Sequence, residues 1–249
     1  MSDVQTLLVV WQNESQRLFY HIGTLSYYNG YYEFVYTNQE QGYRKLKDAL
    51  ENGYMLHPAF PDKEKTYVSK KLFPTFDHRL PSADRLDFKA ILLDLGLDEN
   101  ASKMDVLKQT RGRLANDSYS FEQPLRHTGD GKLHSNFFIH GMRYQNLPED
   151  WSSLLTLNEK LKLKQEPLNE YDSNAVAVYK YNEEKIGYIP AFYSKAIFSL
   201  MEEGAVPIAT VTYINEKSTP HWWLKVDFEC EIPTLTGSAS HELEPMMQM

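Results

Sequence analysis

The sequence predicts an α+β protein built as two small domains, and three observations predict it. Strand-length runs, apolar or alternating, recur along the chain and are separated by turn-forming residues. A few stretches carry helical spacing with capping residues at their ends. Near the middle, residues 124–133 collect Pro, Arg, His, Thr, Gly, Asp, Gly and Lys, the composition of a linker. The domains are therefore placed at 1–123 and 134–232. A tail over 233–249, rich in Ser, Glu, Pro and Met and without periodicity, is expected to be disordered. At 249 residues the chain has length for one large domain or two small ones, and an apolar share of 42% suffices for packed cores.

In the first domain, residues 7–11 are a buried-strand candidate and 12–16 a polar turn. Residues 18–27 alternate well enough for a second strand, with Gly23 at a bulge. Asn29-Gly30 between two pairs of Tyr is a strong hairpin signal, and 31–36 returns as the third strand. Residues 42–51 have Leu46, Ala49 and Leu50 on one helical face and Gly53 as a stop. Pro58, Pro61, Pro74 and Pro81 then exclude a long helix, because each removes a donor and biases its predecessor toward extended backbone. Residues 69–76 are expected as an edge strand. Residues 84–95 read as a helix with Asp84 as N-cap, a stripe of Phe88, Ile91, Leu92 and Leu95, and Gly96 as its end. Ser102 and Asp105 form a capping box for a short helix to Thr110, and 119–121 is a last strand.

The second domain opens with a strand over 136–140 and a polar loop over 145–151. Leu161, Leu163 and Gln165 alternate with Lys162 and Lys164, the pattern of a half-buried strand. Residues 175–179 are a short apolar strand, and 185–189 is another, ended by Pro190. Between the first two lies the loop 167–174, crowded with residues whose side chains bond their own backbone. Such a loop presents donors, acceptors and one flat ring from fixed positions, which suits recognition. A helix over 191–203 turns Ala196, Ile197 and Leu200 inward. Strands over 208–214 and 222–230 close the sheet; in an alternating strand, one of Trp222 and Trp223 faces out.

Bulk properties narrow the function. A net charge of −8 is the wrong sign for holding duplex DNA broadly through phosphates, so any nucleic-acid contact must be local. The single cysteine, Cys230, excludes an internal disulfide and a Cys-based zinc site. Neither a signal peptide nor a membrane-spanning run is read, and the protein is expected in the cytoplasm without a membrane partner. The eight histidines show no i, i+4 pairing for a metalloprotease site. Asp172-Ser-Asn174 starts like a calcium loop, but Val176 stands where a third oxygen ligand belongs. No phosphate loop, nucleophile elbow or kinase catalytic loop occurs. The reading is a non-enzymatic protein without catalytic residues, cofactor or metal.

Three motifs in order carry a resemblance. They are Gly141-Met-Arg-Tyr144, Glu166-Pro-x-Asn-x-Tyr-Asp-x-Asn-Ala-Val176, and Gly187-Tyr-Ile-Pro190 ahead of a helix. Residues 135–230 thereby resemble the HIRAN domain, a small β-barrel-like module found at the front of some eukaryotic DNA-repair helicases and in many bacterial proteins. The resemblance implies binding of single-stranded DNA with preference for a free 3′ end. Carried over, Arg143 pairs with a phosphate, Tyr144 and Tyr171 stack bases, and Asn169 and Asp172 read the terminal nucleotide. The family's basic residue after the Gly-x-x motif is missing here. Pro190-Ala191 stands there and the nearest cation is Lys195, which implies weaker phosphate affinity. Trp222 is a further stacking candidate. Read from residue types alone, Tyr171 and Asp172 serve equally as turn builders, Tyr144 as a core ring and Asn174 as a structural residue.

The front half carries a second, looser resemblance, over residues 5–122. Gly30-x-Tyr-x-Phe-x-Tyr36, then Leu72-Phe-Pro-x-Phe76, then Leu95-Gly-Leu97, then Gly112-Arg113 follow the order of the N-terminal subdomain of HipA-type serine/threonine kinases. Leu114-Ala-Asn-Asp-Ser118 replaces the small-residue run usual after Gly-Arg. In some bacterial loci that subdomain is a separate small protein restraining the kinase toxin. The kinase lobes are missing, so phosphorylation by that mechanism is excluded. The two resemblances together imply an antitoxin-type regulator in a toxin–antitoxin or defence locus. Its partners would be a HipA-family kinase, DNA as single strands or 3′ ends, and a small DNA-binding antitoxin subunit. Two other functions fit: a stand-alone DNA-end-binding protein in repair or phage defence, and a protein-interaction adaptor without DNA binding.

Overall fold

Asn29 and Gly30 both adopt left-handed backbone, φ 50° and 81°, the geometry of a two-residue hairpin turn whose twist matches its strands. The computed structural model describes residues 4–37, 43–114, 117–127, 131–218, 220–231 and 247–248. The chain separates into two compact units, Met1–Pro124 and Leu125–Met249.

In the first unit, β1 (Gln5–Asn13), β2 (Leu18–Tyr28), β3 (Tyr31–Tyr36), β4 (Tyr67–Ser69) and β5 (Tyr119–Glu122) form a five-stranded sheet ordered β4-β3-β2-β1-β5. Every pairing is antiparallel. The register shifts between Val9 and Val10 opposite Gly23 and His21, so the irregularity expected at Gly23 lies beside it. A Cβ on Gly23 would sit 2.6 Å from the Phe34 ring and 2.7 Å from the Val35 carbonyl oxygen. Phe34, Tyr36, Phe60, Phe76 and Phe121 pack as one buried aromatic cluster.

Two helical expectations and one strand expectation shift. Helix α1 is Leu46–Glu51, because Arg44 is left-handed and Lys45 extended, turning the chain just before it. Strand β4 stops at Ser69, and Pro74 opens α2 (Pro74–Asp77), where a missing N–H costs nothing. Helix α3 is Phe88–Asp94 and not 84–95. The Arg85 amide donates to the Ser82 carbonyl and the Arg85 guanidinium grips Asp87, which holds the expected first turn of the helix as a separate bend. Of the expected stripe, only Leu92 is fully buried. The capping box of α4 (Lys103–Thr110) forms as read: Asp105 N–H donates to Ser102 Oγ at 3.1 Å and Ser102 N–H to Asp105 Oδ2 at 2.8 Å.

The second unit holds β6 (Leu125–His127), β7 (Lys132–Phe138), β8 (Lys160–Glu166), β9 (Ala175–Tyr179), β10 (Lys185–Tyr188), α5 (Ala191–Glu202), β11 (Ile208–Ile214), β12 (Leu224–Glu231) and β13 (Met247–Gln248). The sheet order is β10-β9-β8-β11-β12-β7-β6-β13. The stretch read as a linker instead contributes β6 and the start of β7, paired antiparallel, because Leu125 and Leu133 supply buried side chains. The tail expected to be disordered lies outside the described residues, except for Met247–Gln248, which pairs in parallel with β6. The strand read over 136–140 starts earlier, at Lys132, and ends at Phe138.

Beyond Phe138 the chain stays extended, and His140 exchanges two backbone hydrogen bonds of 2.9 Å with Tyr188. That bridge joins the end of β7 to β10 and closes β10-β9-β8-β11-β12-β7 into a ring. Gly187 makes the approach possible: a Cβ there would lie 2.5 Å from the His140 carbonyl oxygen and 2.6 Å from Ile139. Strand β9 is buried on both faces from Ala175 to Val178. Helix α5 packs on it, and Gln165 donates to the Phe198 carbonyl at 2.9 Å. Phe137, Tyr193 and Phe228 stack in the core, where Cys230 is also buried. Burial first, and the Glu231 charge second, push the Cys230 thiol up to about 12. No helix among the described residues is long and apolar enough to cross a membrane.

Candidate nucleic-acid interface

Gly141, left-handed at φ 70°, bends the chain out of the β7 extension into a 3₁₀ turn, Met142–Tyr144. Met142 is buried as the anchor of the turn, and Arg143 and Tyr144 project outward. Tyr144 is 61% exposed, so it is not a core ring. The Arg143 guanidinium covers it, 4.6 Å from the ring centroid, and also donates to the Tyr144 hydroxyl. The pair offers one cation and one flat ring on a short, fixed turn.

The loop 167–174 is built from inside by Asn169. Its Oδ1 accepts from the amides of Tyr171 at 3.0 Å and Asp172 at 3.2 Å. Its Nδ2 donates to Glu166 Oε2 at 3.2 Å and to the Tyr188 hydroxyl at 3.1 Å. All four bonds run within the chain, so the Asn169 carboxamide shapes the loop. Asp172 is half-buried; Oδ1 accepts from the Asn174 amide at 2.8 Å, and Oδ2 lies 3.2 Å from Ser194 Oγ in the first turn of α5. Lys195 follows Ser194 on that helix and is half-buried. Tyr171 projects from the rim, 87% exposed, with Leu168 beside it in the loop at 94%. Asp172 Oδ1 takes part in the turn, and Tyr171 is displayed by it.

Two segments distant in sequence meet at Tyr188. Its ring would touch a Cβ on Gly141 at 3.2 Å, and its hydroxyl bonds Asn169 in the loop. Beneath lies a carboxylate that sequence reading did not single out. Glu166 Oε1 accepts from Lys185 Nζ at 2.7 Å and the Tyr179 hydroxyl at 3.0 Å; Oε2 accepts from the Tyr188 hydroxyl at 2.9 Å as well as from Asn169. Burial opposes the charge on Glu166, but these four hydrogen bonds outweigh it and hold the carboxyl below the usual glutamate range. Burial likewise opposes the Lys185 ammonium, and its bonds to Glu166 and Tyr188 raise it. Glu166 and Tyr188 sat in the quoted motifs, which was the only signal of their importance; Lys185 and Tyr179 gave none.

A depressed carboxyl in the folded state stabilises it above the ordinary glutamate pKa, about 4.3, and that contribution vanishes as pH falls through the lower folded value. Wild-type stability should therefore fall faster below about pH 4.5 than that of Glu166→Gln, the two curves converging at low pH. Urea midpoints across the pH series measure this; parallel curves would reject Glu166 as the organising group.

Trp222 is displaced from its expected place. Strand β12 starts at Leu224, and Trp222 ends a 3₁₀ turn, Pro220–Trp222, which packs beside Met142–Tyr144. The reading of two alternating strand positions fails because this turn precedes the strand. Trp222 meets the Phe138 ring at 4.7 Å, while Trp223 lies 5.2 Å from Trp151 and donates its indole N–H to the Ser218 carbonyl. Both indoles are half-buried. His221 approaches His140, ring centroids 5.5 Å apart, on the same side as the Arg143 turn. Among the described residues, no group of three His, Cys, Asp or Glu could hold a metal ion.

A closed ring, a left-handed glycine before an Arg-Tyr turn and an asparagine-built loop displaying a tyrosine now stand together. Residues 132–234 match the HIRAN domain family. Solved structures similar to part of the chain include a protein from Lactobacillus plantarum, 23% identical, TM-score 0.35, covering 40% of this chain and 97% of that one. The crystal structure of the HIRAN domain of human HLTF is 21% identical, TM-score 0.30, covering 40% of this chain and 73% of that one. The NMR structure of the HLTF HIRAN domain is 19% identical, TM-score 0.27, covering 41% and 80%. No curated protein matches the chain.

Proposed function

We propose that the HIRAN unit binds single-stranded DNA, with preference for a free 3′ end, and that the first unit docks on a HipA-family kinase and restrains it. The observation that carries the DNA limb is the display of Tyr144 and Tyr171 on two rigid turns joined through Tyr188. Exposed rings accept stacked bases at about 1–3 kcal/mol per base, regardless of base identity. Arg143 over Tyr144 supplies the cation that a phosphate needs. Asp172, with one oxygen near the Ser194 hydroxyl, suits a terminal hydroxyl better than a phosphate, since a carboxylate repels the latter. Half-buried Lys195 and Trp222 stand at the margins of this set.

Fluorescence anisotropy with short single strands ending in 3′-hydroxyl or 3′-phosphate tests this limb. Tighter binding of the hydroxyl form is the expected result. Equal binding removes the end preference, and absence of binding below high micromolar leaves the adaptor reading.

Two things support the kinase limb: the order of motifs over 5–122 and the apolar side chains displayed beside α3. Leu86 is fully exposed and Leu93 is 69% exposed. Co-purification with a HipA-family kinase encoded beside the gene, lost in Leu86→Asp/Leu93→Asp, is the expected outcome. Retained kinase activity in the wild-type complex would count against restraint.

A further inference from the structure

Strand β8 is half-buried, and its polar side is organised. Lys160, Lys162, Lys164 and Glu166 point to one face. Register places Lys162 opposite Tyr179, Lys164 opposite Ala177 and Glu166 opposite Ala175, with Lys185 and Tyr188 of β10 continuing the same face. Helix α5 covers the opposite face, where Gln165 reaches Phe198. On the open face, three ammoniums each lie over a tyrosine. Lys164 is 4.7 Å from the Tyr179 ring, Lys162 4.9 Å from Tyr181 and Lys185 4.9 Å from Tyr188. The stems and rings stand on the same face as Ala175 and Ala177, which are buried.

This face is basic on an acidic protein. Lys160, Lys162, Lys164 and Lys185 oppose Glu166 and Glu183, a local excess of two positive charges against −8 for the whole chain. Glu183 sits at φ 68° in the turn after β9 and clasps both Lys162 and Lys164. One exposed carboxylate shared by two ammoniums is a placeholder that a phosphate can displace. The lane begins at Tyr188 and Glu166, under the loop that displays Tyr171. It runs the length of β8 to Lys160, about 20 Å at the usual rise per residue.

We propose that this lysine–tyrosine lane is a second nucleic-acid subsite: a track for the sugar-phosphate backbone of the strand leaving the end-reading loop. The proposal rests on the DNA reading of the HIRAN unit and extends it. Ammoniums spaced along one strand meet successive phosphates, and the rings between them give sugars and bases a flat, sequence-tolerant floor. A bare anionic membrane would use the lysines but leave the regular interleaving of rings without a purpose.

The test compares single strands of about four and about twelve nucleotides, the range of site sizes for small barrel modules, on the full chain. Wild type should bind the longer strand about tenfold more tightly, or more, at low salt. Lys160→Gln/Lys162→Gln/Lys164→Gln keeps polar side chains on that face. It should lose that gain, lower the salt slope for the long strand by about 2, and bind the short strand within about twofold of wild type. Glu183→Gln should act in the opposite sense, raising long-strand affinity about two- to fivefold. Absence of a length gain in wild type, or a gain retained in the triple variant, overturns the track while leaving end reading intact. Loss of binding to both lengths in wild type overturns the DNA reading itself. Lysine-dependent binding to vesicles of anionic lipid, with no length gain on DNA, assigns the face to a membrane and also overturns the proposal.

Discussion

Tyr144→Ala/Tyr171→Ala should weaken binding of a short single strand by about thirtyfold or more and leave the fold intact. The rings are 61% and 87% exposed, so their removal opens little of the core. Surface changes of this kind usually stay within about 0.5 kcal/mol of wild-type stability. Stacking contributes about 1–3 kcal/mol per base, so the two rings together account for about 2–6 kcal/mol, a loss of about thirtyfold at the low end. Each single variant should lose part of this, Tyr171→Ala without any change in the loop, because Asn169 Oδ1 holds the backbone amide of residue 171 and not its side chain. Anisotropy for binding and a urea midpoint for stability settle the point together. A double variant within about threefold of wild type would show that the rings are not the contact.

Gly187→Ala should be the most damaging single-methyl change in the second unit. The nearest obstacle is the His140 carbonyl oxygen, 2.5 Å from the added carbon, and it belongs to the backbone. It cannot step aside without breaking the two 2.9 Å bonds that close the ring. Overpacking costs about 1–3 kcal/mol and two lost hydrogen bonds about 1–3 more. A drop of about 10 °C or more in melting temperature is the expected result for a unit of this size. DNA affinity should fall with it, because Tyr188 both closes the ring and ties the loop to the Arg143 turn. A Gly187→Ala protein as stable as wild type would mean that the bridge is not closing the barrel.

What could be read in the sequence was local. Asn29-Gly30 dictates its own turn, and Ser102 with Asp105 dictates its own cap. The loop 167–174 announced itself through residues that bond their own backbone, and Tyr171 emerged where such a loop would display it. What failed to show was long-range. Gly187 looks like any strand glycine until the chain brings His140 against it, 47 residues away in sequence by number. Glu166 gains its partners from three other segments, and nothing in its neighbours foretells Lys185 or Tyr188. Helix α3 began late because Arg85 found Asp87, a choice between two local bonds that spacing alone does not rank. Lys162 and Lys164 were legible as the polar half of a strand; their pairing with Tyr181 and Tyr179 required the register.

The bridge between His140 and Tyr188 also gives occupancy a spectroscopic handle. Its two amides are the seam of the barrel, and one of them belongs to the residue whose hydroxyl anchors the display loop. Opening the seam must disturb the loop, so whatever steadies the loop must slow the seam. Deuterium uptake at the amides of residues 140 and 188 therefore becomes a reporter of ligand, read at a place the ligand need not touch.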